Sequence, residues 1–405
     1  MDGMIAAVFV FVYFGMILGK IPGLALDRTG IALLGAIFLL ATGEIAAEDA
    51  WRAIDVPTIA LLLGLMVLSA QFRLGGFYAN LTRRLGTMEV SPALFLALLI
   101  LCAGFLSALL ANDIVCLAMT PVLVEGCARR GIDPVPFLLA LACAANVGSA
   151  ATLIGNPQNM LIGQTLKLSF AGYMLDASVP VVLGLGAVWG VVYQQVGGAW
   201  YKKTPIPAVD APPFNAWQTG KGALVLTTLI ALFLFSSWPR DVLALGAAGW
   251  LLSSRRMASR KILGLVDWQL LVLFSGLFIV NHVLAASGIL AKVMLALRSA
   301  GIDIHSPGWL FAVTVFLSNL VSNVPATMLL LPAAVHPLSG PILALASTLA
   351  GNLLIVGSIA NIIVIEQARG LSIEISWWTH ARIGVPVTLI TLAIAAAWLW
   401  LLASR

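Results

Sequence analysis

Long runs of apolar residues fill most of this chain of 405 residues and decide what it can fold into. A crossing of a membrane takes roughly 20 apolar residues. Only 10% of the residues are charged, whereas soluble domains carry about 25%. We therefore predict a polytopic membrane protein and expect no soluble enzyme or disordered protein. The apolar runs lie at about 4–19, 30–43, 56–72, 92–125, 136–164, 177–197, 221–237, 241–254, 268–287, 308–335, 340–366 and 383–402.

Four of these runs contain polar residues near their middle. The runs 92–125 and 308–335 are too long for one crossing and contain "ANDIV" and "SNVPA", respectively. The runs 136–164 and 340–366 are interrupted by "GNPQN" and "GSIAN". Backbone groups freed by such breaks must be buried in protein or line a water-filled cavity. We interpret the first two runs as re-entrant hairpins and the other two as broken helices.

The two halves of the chain repeat the same order of features at a spacing of about 200 residues. Three pairs of segments align, beginning at Ile54 and Val266, at Asn112 and Asn323, and at Gly155 and Gly357. Each half then has five crossings, and because this number is odd the second half is inverted relative to the first. The predicted fold is an all-α membrane protein, an inverted repeat of two five-helix halves that each contain a re-entrant hairpin and a broken helix. Paired breaks in inverted repeats are typical of secondary transporters and indicate the binding site.

The distribution of basic residues predicts the orientation of this fold. With ten crossings and two hairpins, sixteen of the 22 Lys and Arg residues fall on one face. By the positive-inside rule this face is cytoplasmic, and both termini are outside. The net charge of +5 is thus expected to reflect topology in an inner (cytoplasmic) membrane, and no nucleic-acid partner is expected.

The tip of the first hairpin carries the candidate for ion coupling. Asp113 stands near the middle of a long apolar run, beside Asn112, where two half-helices meet. A carboxylate at this depth is costly unless it takes up a proton, binds a cation or pairs, so Asp113 is predicted to couple transport to an ion. The alternative is a structural aspartate that pins the tip or caps the second half-helix.

The broken helices supply the other candidates. Gly permits a close backbone approach and Pro removes a donor, which leaves carbonyl and amide groups free for an ion or a substrate. The matching segments of the second half contain no acid, so the predicted site is symmetric in shape and asymmetric in charge. A pair of kinked packing helices is the alternative. The residues predicted to bind substrate or ion are Asn112, Gly155, Asn156, Gln158, Asn159, Ser322, Asn323, Gly357, Ser358 and Asn361.

Enzymatic chemistry is not expected. The sequence lacks the paired aspartates, the Ser/His arrangement and the HExxH motif of intramembrane proteases, so no catalytic residue, cofactor or metal is predicted. The four cysteines, between Cys102 and Cys143, lie in apolar stretches and are predicted to be reduced and buried. A channel, which conducts without alternating access, is a further alternative.

The motifs "ANDIVCLAMTP", "ATLIGNPQN", "SNVPATMLLLP" and "GSIAN" resemble the ion transporter superfamily, which includes the ArsB arsenite pumps, the NhaD sodium/proton antiporters and the divalent-anion/sodium symporters. The resemblance covers nearly the whole chain. It implies that hairpins and broken helices form a transport unit that moves against a scaffold, and that a homodimer is possible. The implied segments are 1–91 and 221–307 for the scaffold, 92–197 and 308–405 for the transport unit, and 198–220 for a cytoplasmic linker.

The hairpin tips bear on the substrate that this resemblance implies. Both tips of the divalent-anion symporters carry Ser-Asn-Thr, whereas here they read Ala-Asn-Asp at 111–113 and Ser-Asn-Val at 322–324. The Asn-Asp pair is similar to the arsenite pumps, which implies proton coupling through Asp113 and efflux of arsenite or antimonite, a small inorganic substrate. The turn "GNPQN" looks more like the anion-permease branch. The alternative is therefore sodium-coupled uptake of an inorganic anion or dicarboxylate.

Overall fold

The computed structural model describes residues 2–19, 25–202, 205–207, 212–254 and 257–404. Within these ranges the regular structure is helical, and an isolated bridge joins Ile132 and Tyr201. The described part of the first half contains ten helices: α1 (Asp2–Leu18), α2 (Arg28–Ala41), α3 (Ala47–Ala53), α4 (Val56–Leu74), α5 (Phe77–Thr87), α6 (Pro92–Leu109), α7 (Asn112–Arg129), α8 (Pro134–Ser149), α9 (Pro157–Thr165) and α10 (Phe170–Val196).

The second half repeats this order, so that each helix has its counterpart ten places later. Two short 3₁₀ turns, Leu331–Ala333 and Ile355–Gly357, accompany the helices. The helices are α11 (Ala216–Phe235), α12 (Arg240–Leu252), α13 (Ser259–Leu263), α14 (Trp268–Ala286), α15 (Ile289–Ser299), α16 (Pro307–Val321), α17 (Asn323–Leu330), α18 (Ser339–Ala350), α19 (Ile359–Gly370) and α20 (Trp377–Ala403).

The repeat extends to the residues that begin the helices. Asp55 precedes α4 and Asp267 precedes α14, and each side chain accepts a hydrogen bond of 2.9 Å from the backbone N–H three residues later. Both α5 and α15 follow a glycine in the left-handed conformation, Gly76 (φ +67°) and Gly288 (φ +75°). This conformation favours glycine, since it has no Cβ. The same local chemistry therefore begins matching elements in both halves.

Six described helices are long and apolar enough to cross a membrane, namely α4, α6, α10, α11, α14 and α20. Shorter apolar helices accompany them, including α1, α2, α8, α16 and α18. Single crossings are divided where a break falls inside an apolar run, as between α8 and α9. The prediction of an all-α polytopic membrane protein with inverted repeats, two hairpins and two broken helices is confirmed.

Two helices form the centre of the molecule. Residues 137–150, in and just after α8, are all buried, and so are residues 339–352, in and just after α18. The hairpin helix α6 packs on α8, and α16 packs on α18. A Cβ on Gly148 would lie 2.2 Å from the Gly104 carbonyl oxygen, so glycine is required for this approach of α8 to α6. The halves interlock, because α7 packs against α19 and α17 packs against α9.

The linker predicted at 198–220 overlaps the start of α11, which begins at Ala216. Its first residues are tied to the loop between α7 and α8. The N–H of Asp133 donates to the Trp200 carbonyl oxygen (2.8 Å), and that of Lys202 donates to Gly131 (3.0 Å). The linker residues 203–204 and 208–211 lie outside the described ranges.

Short helices were missed where the chain has no long apolar run, as at α3, α5, α13 and α15. The charge-based orientation and the division into scaffold and transport unit stay predictions. Five basic residues used for the orientation lie outside the described ranges: Lys20, Lys203, Arg255, Arg256 and Arg405.

Candidate functional site

The first hairpin turns between α6 and α7 and exposes the predicted coupling residue. Ala111 precedes α7 and makes no side-chain cap, and the N–H of Asn112 donates to the Gly155 carbonyl oxygen (3.3 Å). Asp113 lies half-buried in the first turn of α7, where the partial positive charge of the helix end favours a carboxylate. Among the described residues, no hydrogen bond or ion pair engages the Asp113 carboxylate. Asp113 therefore does not act as a cap.

The second hairpin turns at Ser322, between α16 and α17. This residue has φ +78° and ψ 160°, a region that residues other than glycine rarely occupy. The next residue, Asn323, reaches across to the first half. With its side-chain nitrogen facing Gly357, the Asn323 amide donates to the Gly357 carbonyl oxygen (3.2 Å) and accepts from Gln158 Nε2 (3.3 Å). Val324 follows, where the first tip has an acid.

The two helix breaks are held by one repeated arrangement. Asn159 and Asn361 each donate through Nδ2 to the carbonyl oxygens seven and ten residues earlier, at 2.9 and 3.4 Å in the first half and at 3.1 and 2.9 Å in the second. The helix after each break is capped by a side chain. Asn156 accepts from the N–H of Asn159 (2.9 Å), and Ser358 accepts from the N–H of Ala360 (3.2 Å).

Asn146, on α8, joins these elements. Its Oδ1 accepts from Asn112 Nδ2 (3.4 Å) and from the Ser358 hydroxyl (2.8 Å). Its Nδ2 donates to Asn352 Oδ1 (2.8 Å) and to Asn361 Oδ1 (3.1 Å). All four hydrogen-bonding positions of this buried amide are thus used, and they connect the first hairpin tip to the break of the opposite half.

Other residues that hold the two helix breaks in place were not predicted from the sequence. The Thr348 hydroxyl accepts from Asn156 Nδ2 (3.2 Å) and Gln158 Nε2 (3.1 Å) and so fixes two side chains of the first break from the second half. The Tyr173 hydroxyl donates to the Ala150 carbonyl oxygen (2.7 Å). At the matching place in the second half, His380 Nε2 lies 3.1 Å from the backbone oxygen of Asn352. Polar residues inside apolar runs were the available signal.

A small cavity of about 30 Å³ lies where these elements meet, with room for about one water molecule. Seven of the eleven predicted site residues line it: Asn112, Asp113, Asn156, Gln158, Ser322, Asn323 and Ser358. Apolar walls come from Pro157, Leu270, Val324 and Ile359. The structure thus brings the two tips and the two breaks to one cavity.

The other four predicted residues shape the walls without lining this cavity. A Cβ on Gly155 would lie 2.2 Å from the Ser149 carbonyl oxygen, and a Cβ on Gly357 would lie 3.2 Å from Asn319 Oδ1, so both glycines permit close packing. Asn159 and Asn361 hold the breaks, as described. A direct contact of these four with a solute would require a rearrangement.

A second cavity of about 120 Å³, here named the vestibule, adjoins the small one. Both cavities are lined by Asp113, Pro157 and Leu270. The vestibule adds two charged residues, Arg73 from the end of α4 and Asp267 from the start of α14, among mainly apolar side chains. Neither residue was predicted to belong to a site, because charges at the ends of apolar runs also mark membrane boundaries. None of the four cysteines, all unpaired, lines either cavity.

A cavity lined by polar side chains between the broken segments of two inverted repeats defines a secondary transporter. The chain belongs to the citrate transporter family (CitMHS), whose sequence profile matches residues 9–350. It is 28% identical to the silicon efflux transporter LSI3 of rice, over 93% of both chains. It is 30% identical to the inner membrane protein YbiR of Escherichia coli K12, over 85% of this chain and 87% of that protein.

A solved structure has the same fold. The YdaH transporter of Alcanivorax borkumensis superposes with a TM-score of 0.57 over 98% of both chains, at 15% identity. This similarity shows the fold alone. The family membership confirms the resemblance to the ion transporter superfamily, and the roles of the individual site residues stay predictions.

Proposed function

We propose that this protein is a proton-coupled secondary transporter that moves a small oxyacid of a metalloid by alternating access, with arsenite or antimonite efflux as the leading case. One observation carries this proposal. The carboxylate of Asp113 has no partner among the described side chains and faces a cavity built from both halves. A carboxylate in this position must bind and release a cation during transport. A proton is the cation that needs no other coordinating groups.

The chemistry of the small cavity supports an uncharged, hydroxyl-bearing solute. Among the described residues, its polar lining consists of amide and hydroxyl groups, which both donate and accept hydrogen bonds, and of Asp113, without Lys or Arg. Arsenite in neutral water is mainly the uncharged acid As(OH)₃. A polyvalent anion would lack the bidentate counter-charge that usually binds such groups. The rice relative is named for the efflux of silicon, another element that forms a hydroxylated acid.

In the proposed cycle, Asp113 takes up a proton when the site opens to the outside and releases it when the site opens to the cytoplasm. Asn112, Asn156 and Gln158 hold the solute from the first half, and Asn323 and Ser358 close the cavity from the second. Solute and proton occupy the site alternately, which gives antiport. The orientation with cytoplasmic basic loops in an inner membrane is part of this proposal, and the homodimer stays a prediction.

A second candidate is sodium-coupled uptake of an inorganic anion or a dicarboxylate. The description of the family as citrate transporters favours it. In this case Asp113 and carbonyl oxygens at the breaks would coordinate sodium, since hard cations prefer oxygen ligands.

Transport by the purified protein in proteoliposomes distinguishes the two candidates. Proton and sodium gradients are imposed separately, and arsenite, silicic acid, sulfate and a dicarboxylate are offered in turn. Movement of arsenite or silicic acid under a proton gradient alone supports the first proposal. Movement of sulfate or dicarboxylate that requires sodium contradicts it and supports the second. In the same assay, Asp55→Asn is the control for the variant Asp113→Asn, because Asp55 lines neither cavity.

A further inference from the structure

The vestibule brings together charges from opposite halves of the chain. Arg73 lies in the last turn of α4, and Asp267 precedes the first turn of α14. Both line the same cavity as Asp113, and its remaining walls are mainly apolar, from residues such as Leu62, Leu117 and Ile363. Charged groups in such surroundings interact more strongly with one another and with a polar solute than they do in water.

Arg73 is not committed to a structural bond. Among the described residues it forms no hydrogen bond and no ion pair within 4.0 Å. Asp267 uses one oxygen to accept from the N–H of Leu270 (2.9 Å), which leaves its other oxygen for a second partner. A guanidinium and a carboxylate oxygen that face a shared cavity without pairing can therefore both bind a solute.

The internal repeat shows that the fold does not need this combination. In the aligned segments, the position of Arg73 is taken by Ala285, and that of Asp113 is taken by Val324. Asp267 corresponds to Asp55, which caps its helix in the same way but does not line the vestibule. The helix cap is therefore common to both halves, whereas the charged cavity combines Arg73 with Asp113 and Asp267.

We propose that Arg73 and Asp267 form a loading subsite for a small solute that carries both oxygen acceptors and hydroxyl donors, such as a protonated oxyacid. The guanidinium donates to the acceptor oxygens and the free Asp267 oxygen accepts from a hydroxyl. The subsite lies at the face predicted to be cytoplasmic. This inference rests on the proposed function, since it concerns the same pathway.

The charge of the vestibule selects for solutes of low charge. Among the described lining residues one guanidinium faces two carboxyl groups, so their summed charge is zero when Asp113 carries a proton and −1 when it does not. A polyvalent anion is repelled in the second state, whereas a neutral acid is accepted in both. Because Asp113, Pro157 and Leu270 line both cavities, a solute leaving the subsite for the small cavity passes the coupling residue.

Matched variants test this subsite. Asp267→Asn keeps an equally good helix cap and removes only the charge, and Asp55→Asn makes the same change at the matching cap outside the vestibule. Arg73→Gln removes the guanidinium, Arg73→Lys keeps the charge without the planar fork, and Arg84→Gln removes an exposed charge nearby in the chain. Thermal unfolding of each purified variant shows whether it is folded.

The readout is the KM for arsenite and for silicic acid, measured from each face of proteoliposomes with uniform protein orientation. Arg73→Gln and Asp267→Asn are expected to raise the KM on the vestibule face about tenfold or more, the effect of losing one charge-assisted hydrogen bond. The KM of Arg73→Lys is expected to lie between those of Arg73→Gln and the wild type. The two control variants, Asp55→Asn and Arg84→Gln, are expected to keep the wild-type KM. For the Arg73 and Asp267 variants, the KM measured at the opposite face is expected to change less than about twofold.

The outcomes separate this inference from the proposed function. A wild-type KM in both Arg73→Gln and Asp267→Asn, or an equal rise on both faces, overturns the subsite while proton-driven transport stands. Arsenite transport driven by sodium with the predicted rise in KM supports the subsite and overturns proton coupling. Preference of the wild type for sulfate or citrate, or transport of none of these probes, counts against both.

Discussion

Replacement of Asn146 by alanine tests whether one amide joins the two halves. The side chain makes four buried hydrogen bonds, to Asn112, Ser358, Asn352 and Asn361, at 3.4, 2.8, 2.8 and 3.1 Å. Side-chain hydrogen bonds in membrane proteins contribute on average about 0.6 kcal/mol each, so the loss of four predicts a decrease of about 2.5 kcal/mol in the free energy of unfolding.

The assay is reversible unfolding in mixed micelles, which gives the free energy of unfolding directly. The control is Thr391→Val, because the Thr391 hydroxyl is equally buried but donates only within its own helix, to Val387 (2.8 Å) and Thr388 (3.2 Å). The control is expected to lose less than about 0.5 kcal/mol, since this internal bond joins no other element.

A second variant, Asn146→Asp, keeps the acceptor oxygen and turns the donor into another oxygen. This oxygen would face Asn352 Oδ1 and Asn361 Oδ1, so the variant is expected to be at least as unstable as Asn146→Ala. Equal stabilities for Asn146→Ala and Thr391→Val, within about 0.5 kcal/mol, would refute the reasoning that this amide links the halves.

Two further predictions concern the backbone and use the same unfolding assay. Gly155→Ala places a methyl group 2.2 Å from the Ser149 carbonyl oxygen, so its free energy of unfolding is expected to fall by about 3 kcal/mol or more. The control Gly186→Ala, whose Cβ would have no atom within 4 Å, is expected to stay at or above wild-type stability. Equal free energies of unfolding for the two variants would contradict the close packing at Gly155. Ser322→Gly relieves the backbone strain at φ +78°, so its free energy of unfolding is expected to rise by about 1 kcal/mol. The same change at the first tip, Ala111→Gly (φ −56°), is expected to lower the free energy of unfolding by about 0.5 to 1 kcal/mol. A lower stability of Ser322→Gly than of the wild type would argue against strain at this turn.

The sequence was informative where a polar residue interrupts an apolar run. Asn112, Asp113 and Asn323 stand out against their neighbours, and the structure brings them to one cavity. Such interruptions are visible without coordinates because hydrocarbon cannot satisfy freed backbone groups.

Other features depend on the direction in which a side chain points, which the pattern of apolar and polar residues does not predict. Asn159 and Asn361 turn back onto carbonyl groups of their own breaks and do not line the small cavity. Arg73 and Asp267 come from the ends of apolar runs, where a charge is expected at any membrane boundary. Only the packing of α4 and α14 brings these charges to one cavity with Asp113.

The central claim is that Asp113 carries the proton that is exchanged for the solute. The most direct measurement is proton flux, followed by a pH-sensitive dye inside proteoliposomes, while an arsenite gradient drives transport by the wild type, Asp113→Asn and the control Asp55→Asn. The account predicts arsenite-driven proton flux in the wild type and the control and none in Asp113→Asn, whose remaining arsenite movement no longer responds to a pH gradient. Proton flux in Asp113→Asn at the wild-type ratio to arsenite would contradict it.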